Sequence, residues 1–475
     1  MRSKAYTGGD GYNRPGEPMP RDEIVPSEAT IYSWIEEVFS HGIRRPGYAA
    51  DRWAEDWCQE RFRELGLENV RAEPVDLPYW EPKSATLSVT PNGGEAFDVP
   101  CFPLPHSAST SGVEAELVAF DPATPGQAEG AVSLYDVRLQ RPPHMVLANL
   151  ATWYYDPEGT FADAQHILPF GREIMGVMEP SMAAGAAAFI GVLSGYPGDS
   201  HEYYVPYDAV ERALPGVWIS GSAGQKLRDA LEAGSVRAKL TVDAVREPIT
   251  SYNIIGELPG ADEEIVIIGS HHDGPWSSAV EDSSGIALVL AQAAYWTKVE
   301  PAQRPHRLVF LLNAGHMAGG AGTKAFIANH TAELERTVLE VHLEHAANEY
   351  SDATGELKPT GQPEARWWFT SRIAPLEDHV RAAIEAEGLG RSLIMSPTVF
   401  GERPTTDGGD FHLAGVPIVN YLTAPFYLFD SMDTMDKIHR PSLVPVTRAA
   451  IRIIESTAGV SAAQMRGAAV TGGQR

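Results

Sequence analysis

A three-layer α/β architecture, with helices on both faces of a mostly parallel mixed sheet, is the fold class that this sequence predicts. Three observations carry it. Short continuous apolar runs such as residues 265–268 (IVII) read as strands buried on both faces. Helical patterns, at 283–298 and 445–456 among others, alternate with those runs. Glycine-rich turns, AGHMAGGAGT being the clearest, stand where a strand hands over to a helix.

The elements follow in chain order. Residues 1–24 are rich in Gly, Pro and charge and read as a disordered or arm-like lead. Ile31, Trp34, Ile35 and Val38 recur at helical spacing, as do Trp53, Trp57, Phe62 and Leu65 before Gly66, so 27–67 is expected to be helical. Strands are expected at 70–75 and 85–89. Between 84 and 245 the texture shifts to short β runs punctuated by Gly and Pro. Strands are expected there at 117–120, 130–137, 145–150 and 215–220, with a small-residue helix at 182–189. A helix at 224–233 and an edge strand at 236–242 complete the stretch. It reads as a smaller β-rich α/β domain, 84–245, inserted into a larger one made of 25–83 and 246–475. The βα texture resumes at 251, with strands at 265–268, 307–312, 338–345 and 416–422 and a further helix–strand unit over 377–399.

Length and composition bound the function. A chain of 475 residues with 43% apolar content and ten tryptophans suits a folded globular protein of two domains. Its net charge of −26 argues against nucleic acid or anionic membrane as a partner, and is compatible with a cationic or small neutral substrate. Cys58 and Cys101 are the only cysteines, so neither a disulfide framework nor a Cys-based zinc site is expected. With no apolar signal core at the N-terminus and no stretch of transmembrane length, a cytoplasmic protein is expected, homo-oligomeric or not.

The candidate chemistry lies where the 265–268 run ends. Gly269 and Ser270 release a His271-His272-Asp273 cluster, and Asp282 follows at the start of the next helix. Open α/β sheets bind ligands at the carboxyl ends of strands. A histidine and an aspartate on adjacent turns there could share one cation.

Several segments, in order, resemble the co-catalytic di-zinc aminopeptidases, peptidase family M28: SYNIIGELPG, GSHHD, the Asp-Ser-Ser-Gly at 282–285, and the two distal motifs TTDGGDFHLAGVPIV and DSMDTMDKI. LPGVWISGSAGQKLRDAL resembles the protease-associated domain that many members carry at this position. The resemblance implies a zinc-exopeptidase-like fold and assigns roles. His271 takes the first ligand position, with Asp273 orienting its ring. Asp282 takes the place of the bridging aspartate and Glu344 that of the later aspartate. His316 and Met317 fall on the Glu-Glu pair that supplies a general base and a ligand, and Phe429 falls on the final histidine. A thioether is a soft ligand and a phenyl ring none, so the second metal position has no competent donors. The expectation is a mononuclear site of His271, Asp282 and Glu344, holding one divalent ion, zinc first and manganese or nickel behind it.

Each residue also has a plainer reading. Asp273 and Asp282 could be turn caps, and Glu344 a charge on an edge strand. Strand alternation puts Glu344 opposite His345, so a register shift of one residue would substitute His345. His316 is expected as general base, with ligation second and a relic third. Asp430 is a weaker substitute ligand. Asp407, Asp410, His412 and Asp433 are expected to form turns at the rim, and Tyr203, Tyr204 and Tyr207 either cover the cleft or build a satellite core. The implied function is metal-dependent hydrolysis of an amide-type C–N bond in a small molecule or at a peptide N-terminus, with Asp273 and His316 as catalytic residues. The alternatives are a non-catalytic binding or scaffold protein on the same fold, or a lyase or cyclase reaction at the same metal.

Overall fold

The computed structural model describes residues 20–169 and 174–470. Of the expected lead, residues 1–19 lie outside the described residues, and Asp22–Ile24 form one 3-10 turn.

The main sheet contains β1 (Glu68–Pro91), β2 (Val236–Leu258), β3 (Ile265–His271), β4 (Arg307–Asn313), β5 (Thr337–Leu343), β6 (Arg366–Thr370), β7 (Ser392–Met395) and β8 (Ile418–Thr423). From β2 the lateral order is β2-β4-β3-β5-β8-β6-β7, and β1 pairs with β2. Strands β4, β3, β5 and β8 run parallel, whereas β2 and β6 are antiparallel to their neighbours β4 and β8. The apolar run of β3 follows from its position. Val266 and Ile268 pack into one core with Trp57, Phe62 and Ile451, and Ile265 and Ile267 into another with Phe326 and Phe411. Both faces are covered, so no polar alternation survives.

Helix Gly285–Trp296 is buried along its whole length, with Glu28–Ser40, Ala49–Leu65 and Leu443–Glu455 packed around it. Helices Ala321–Asn329 and Gly408–Leu413 cover the opposite face. This is the three-layer α/β arrangement that the sequence predicts.

The chain leaves β3 for β4 on one side, then crosses to β5 on the other. That reversal opens a crevice at the carboxyl end of β3, the usual place for a ligand in such a sheet.

The chain between β1 and β2 builds further strands, in the order Phe102–Pro103, Gly216–Ser220, Ala188–Ser194, Val132–Arg138 and Thr110–Ala119, joined to β2. Their core, with Leu87, Val89, Leu134, Ile190 and Leu240, is separate from those under the main sheet. The long antiparallel pairing of β1 with β2, from Glu68↔Glu257 to Pro91↔Val236, links the two regions.

Three elements differ from expectation. Residues His144–Leu150 form a helix rather than a strand, because Met, Leu and Ala are strong helix formers and Pro143 stands just ahead of the first turn. The expected 182–189 helix is a shorter one, Glu179–Ala183, followed by the fully enclosed strand Ala188–Ser194. The alternation at 236–242 does not mark an edge: β2 pairs there with β1 on one side and Thr110–Ala119 on the other. Its pattern comes from one face lying on a core and the other meeting solvent. Cys58 is buried, Cys101 is half-buried, and both are free thiols. Among the described residues no helix is long and apolar enough to cross a membrane.

Candidate metal centre

Side chains from the ends of β3, β4 and β5 converge in the crevice. His271 ends β3, His316 lies in the turn after β4, and Glu344 and His345 follow β5. His271, His316 and Glu344 each offer a ligand atom within 4.8 Å of the others, and all three are buried. The His271 and His316 rings stack with centroids 4.1 Å apart.

Each imidazole is oriented by a fixed acceptor. His271 Nδ1 lies 3.0 Å from the Asp273 carbonyl, His316 Nδ1 3.0 Å from Asp407 Oδ1, and His345 Nδ1 2.7 Å from the Thr423 carbonyl. A carbonyl or carboxylate accepts only, so each Nδ1 carries the proton and each Nε2 turns its lone pair inward. Metal-ligating histidines are commonly held in this way.

The glutamate among them is Glu281, not Asp282. Glu281 Oε1 lies 3.5 Å from His271 Nε2 and 3.8 Å from His316 Nε2, and its other oxygen meets His345 Nε2. Asp282 faces away: Ser270 Oγ donates to one of its oxygens and the Gly285 N–H to the other at 3.0 Å. A Cβ on Gly285 would stand 2.1 Å from that carboxylate, so only glycine fits beneath it. Asp282 thus holds the helix start, the plainer of its two readings, although Oδ2 remains 3.8 Å from His271 Nε2. Arg44, fully buried, donates to the carbonyls of His272, Ser277 and Ser278, and Asp433 accepts the N–H groups of Val280 and Glu281. Together they fix the loop that presents Glu281. The sequence carried no periodic signal for either.

Asp273 meets His271 Nδ1, the contact expected of an orienting neighbour, but through its backbone, with its carboxylate Oδ1 3.7 Å from the same nitrogen. The carboxylate accepts the N–H groups of His316 at 3.0 Å and Met317 at 2.7 Å. Gly315 and Gly319, at φ +66° and +72°, bracket this tight turn in conformations that side chains disfavour. Glu344 and His345, weighed as alternatives, both reach the centre. Strand β5 ends at Leu343, and His345 adopts φ +42°, so strand alternation no longer separates them. Glu344 stands on a central strand's end, not an edge. Behind it, Asn420 donates to Glu340, Glu340 meets His342 Nδ1 at 2.9 Å, and His342 Nε2 lies 3.0 Å from Glu344.

Met317 and Phe429 are buried in an aromatic cluster with Tyr203, Trp276 and Tyr427. Tyr207 stacks on both His316 and Phe429, with centroids 5.4 Å and 4.9 Å away. Tyr203 and Tyr204 are core, whereas Tyr207 flanks the site. Asp430 accepts the Met432 N–H at 2.8 Å, and Asp410 pairs with Arg403 at 3.3 Å.

The donors fit a divalent cation. His271 Nε2 is buried without a hydrogen bond, and the buried Glu281 Oε2 and Glu344 Oε1 meet only imidazole nitrogens, those of His345 and His342. Such atoms are costly unless a cation pairs them. Without one, protons fill the charge balance. Burial opposes the charge, yet Asp407 and Glu281 raise His316 to about 10. Against the same burial, Glu281 and Glu344 raise His345 to about 10. Burial likewise opposes the Glu344 charge, but His342 and His345 bring it to about 2. A cation must displace these protons. Zinc binding near neutrality is therefore expected to release at least one proton, that of His316, measured by calorimetry in buffers of different ionisation enthalpy. Affinity should rise with pH until the imidazoles have lost their protons. Proton-independent binding would contradict this account.

A buried set of imidazoles and carboxylates at the carboxyl ends of parallel strands in an α/β fold is one that could hold a metal ion. Residues 253–454 match the model of peptidase family M28. The chain is 25% identical over 301 residues to a probable leucine aminopeptidase 2 of Aspergillus oryzae, covering 62% of this chain and 53% of the relative. It thus spans about half the length of that relative. Among solved structures it resembles a peptidase M28 precursor from Shewanella amazonensis (TM-score 0.69, 22% identity, covering 92% and 94% of the two chains). An aminopeptidase from an Aneurinibacillus species (0.63, 20%, 92% and 94%) is also similar. So is a zinc aminopeptidase from Bacillus subtilis (0.64, 17%, 90% and 95%). At these identities the structural likeness is one of fold.

Proposed function

We propose that the chain is a metal-dependent hydrolase of amide-type C–N bonds with a mononuclear centre at His271, His316 and Glu344. The observation that carries this reading is one convergent donor set beside an apolar wall. Met317 and Phe429 occupy the positions where the family resemblance would require a second set of ligands. The similarity to zinc aminopeptidases supports zinc as the ion, and the mixed nitrogen and oxygen donors suit it.

One divalent ion here would supply Lewis-acid polarisation of a carbonyl and acidify water at neutral pH. The chain's own groups do the rest. Glu281 is buried with one oxygen directed between His271 and His316, in place to accept a proton from attacking water. His345, against its other oxygen, is in place to carry a proton toward the leaving nitrogen. His316, expected from sequence as the base, is assigned to the metal because its Nε2 faces the other donors. Tyr207, Phe429 and Met317 exclude water on one side and offer an apolar surface to a substrate side chain. A leucine-type residue or a small apolar acyl group suits that surface, in keeping with the relative named a probable leucine aminopeptidase.

The test is hydrolysis of leucine p-nitroanilide and of small apolar acyl anilides by the zinc-loaded chain. Turnover that a chelator abolishes and zinc restores is expected. A zinc-loaded chain that leaves every anilide intact would favour the non-catalytic binding reading.

A further inference from the structure

A second cluster, distinct from the crevice, joins the excursion between β1 and β2 to the main body. His144, at the start of helix His144–Leu150, and His166 come from the excursion, and Glu364 from the loop before β6. All three are buried, at 0%, 1% and 4% exposure, and offer ligand atoms within 4.8 Å of one another. His144 Nε2 lies 3.0 Å from Glu349 Oε1, and His166 Nε2 lies 3.0 Å from the Ala424 carbonyl. The Ala424 carbonyl only accepts, so His166 Nε2 carries its proton and His166 Nδ1 can present a lone pair; His144 Nε2 faces both Glu349 and, at 3.2 Å, Arg391, and His144 takes the same tautomer when it donates to Glu349. Arg391 also donates to Glu349, neutralising that carboxylate.

The two Nδ1 atoms are buried without a hydrogen bond. His166 Nδ1 lies 3.0 Å from Glu364 Oε1, yet the pair lacks hydrogen-bond geometry. The Ala365 N–H instead meets that oxygen at 2.9 Å. Lone pairs gathered around one point, with the opposite ring nitrogens fixed on a carboxylate and a carbonyl, make the arrangement of a metal site.

We infer that His144, His166 and Glu364 hold a second, structural divalent cation of the zinc class, outside the candidate active centre. Two imidazoles and a carboxylate favour zinc-like ions over calcium or magnesium, whose ligands are oxygens. The remaining position is filled by water or by the other Glu364 oxygen. The cation pins the excursion to the main body. The coupling to the first centre is short: the consecutive carbonyls of Thr423 and Ala424 receive His345 Nδ1–H and His166 Nε2–H respectively.

The test is zinc content of the purified chain and of His166→Gln, Glu364→Gln and His271→Ala. About two equivalents are expected in the wild type and about one in each variant. Loss from His271→Ala reports on the proposed active centre, and loss from the other two on this site, so either can fail alone. Unchanged stoichiometry in both His166→Gln and Glu364→Gln overturns the inference. Should those variants not fold, wild-type crystals measured on both sides of the zinc absorption edge decide it. An anomalous peak about 2.0–2.1 Å from both Nδ1 atoms supports the site. A peak that needs millimolar zinc, or none, overturns it.

Discussion

Replacing His271 by alanine is expected to weaken cation binding at the crevice by more than about 100-fold and to abolish hydrolysis with it. Removing an outer partner of a metal-bound histidine typically costs about 10–100-fold in affinity, and His271 is a donor itself. Its Nε2 is buried without a hydrogen bond, so nothing nearby replaces it. Metal analysis and calorimetry read the loss, and an unchanged far-ultraviolet dichroism spectrum excludes unfolding. Zinc affinity within tenfold of wild type would remove His271 from the ligand set.

Changing Glu281 to glutamine is expected to separate chemistry from binding. The amide keeps the side chain's shape but cannot take a proton, so turnover should fall by about 10²–10⁴-fold while the chain still binds zinc. The neighbouring Asp282→Asn supplies the contrast. Asp282 receives hydrogen bonds from Ser270 and Gly285 at the helix start. Asparagine keeps an oxygen for the Gly285 N–H, so this variant should change stability by less than about 1 kcal/mol and leave zinc binding and turnover near wild type. Kinetics and zinc titration on the two variants decide between them. Zinc loss in Asp282→Asn together with full turnover in Glu281→Gln would restore Asp282 as the ligand.

These two adjacent residues show where sequence reasoning stops. The sheet was legible, because a strand covered on both faces leaves an uninterrupted apolar run, and 265–268 is one. His271 was legible for the same reason, since the run ends at it. Which of Glu281 and Asp282 enters the crevice depends on the course of the loop between Gly274 and Gly285. Arg44 and Asp433, hundreds of positions apart in the chain, fix that course. His345 was ranked behind Glu344 by an alternation rule that holds within a strand, and it sits beyond the strand's last residue. The helix at His144–Leu150 was misread because a short apolar run carries little information about its period. His166 and Glu364 showed no pattern at all, for their grouping exists only after the excursion packs on the main body.

The excursion begins and ends on paired residues, Pro91 beside Val236, at the far end of the β1–β2 ribbon. Whatever is spliced in there adds nothing to the register of the strands that carry the donors. The same excursion brings Tyr207 down onto His316 and Phe429. The sheet supplies the donors, and the excursion supplies one of the aromatic rings that flank them.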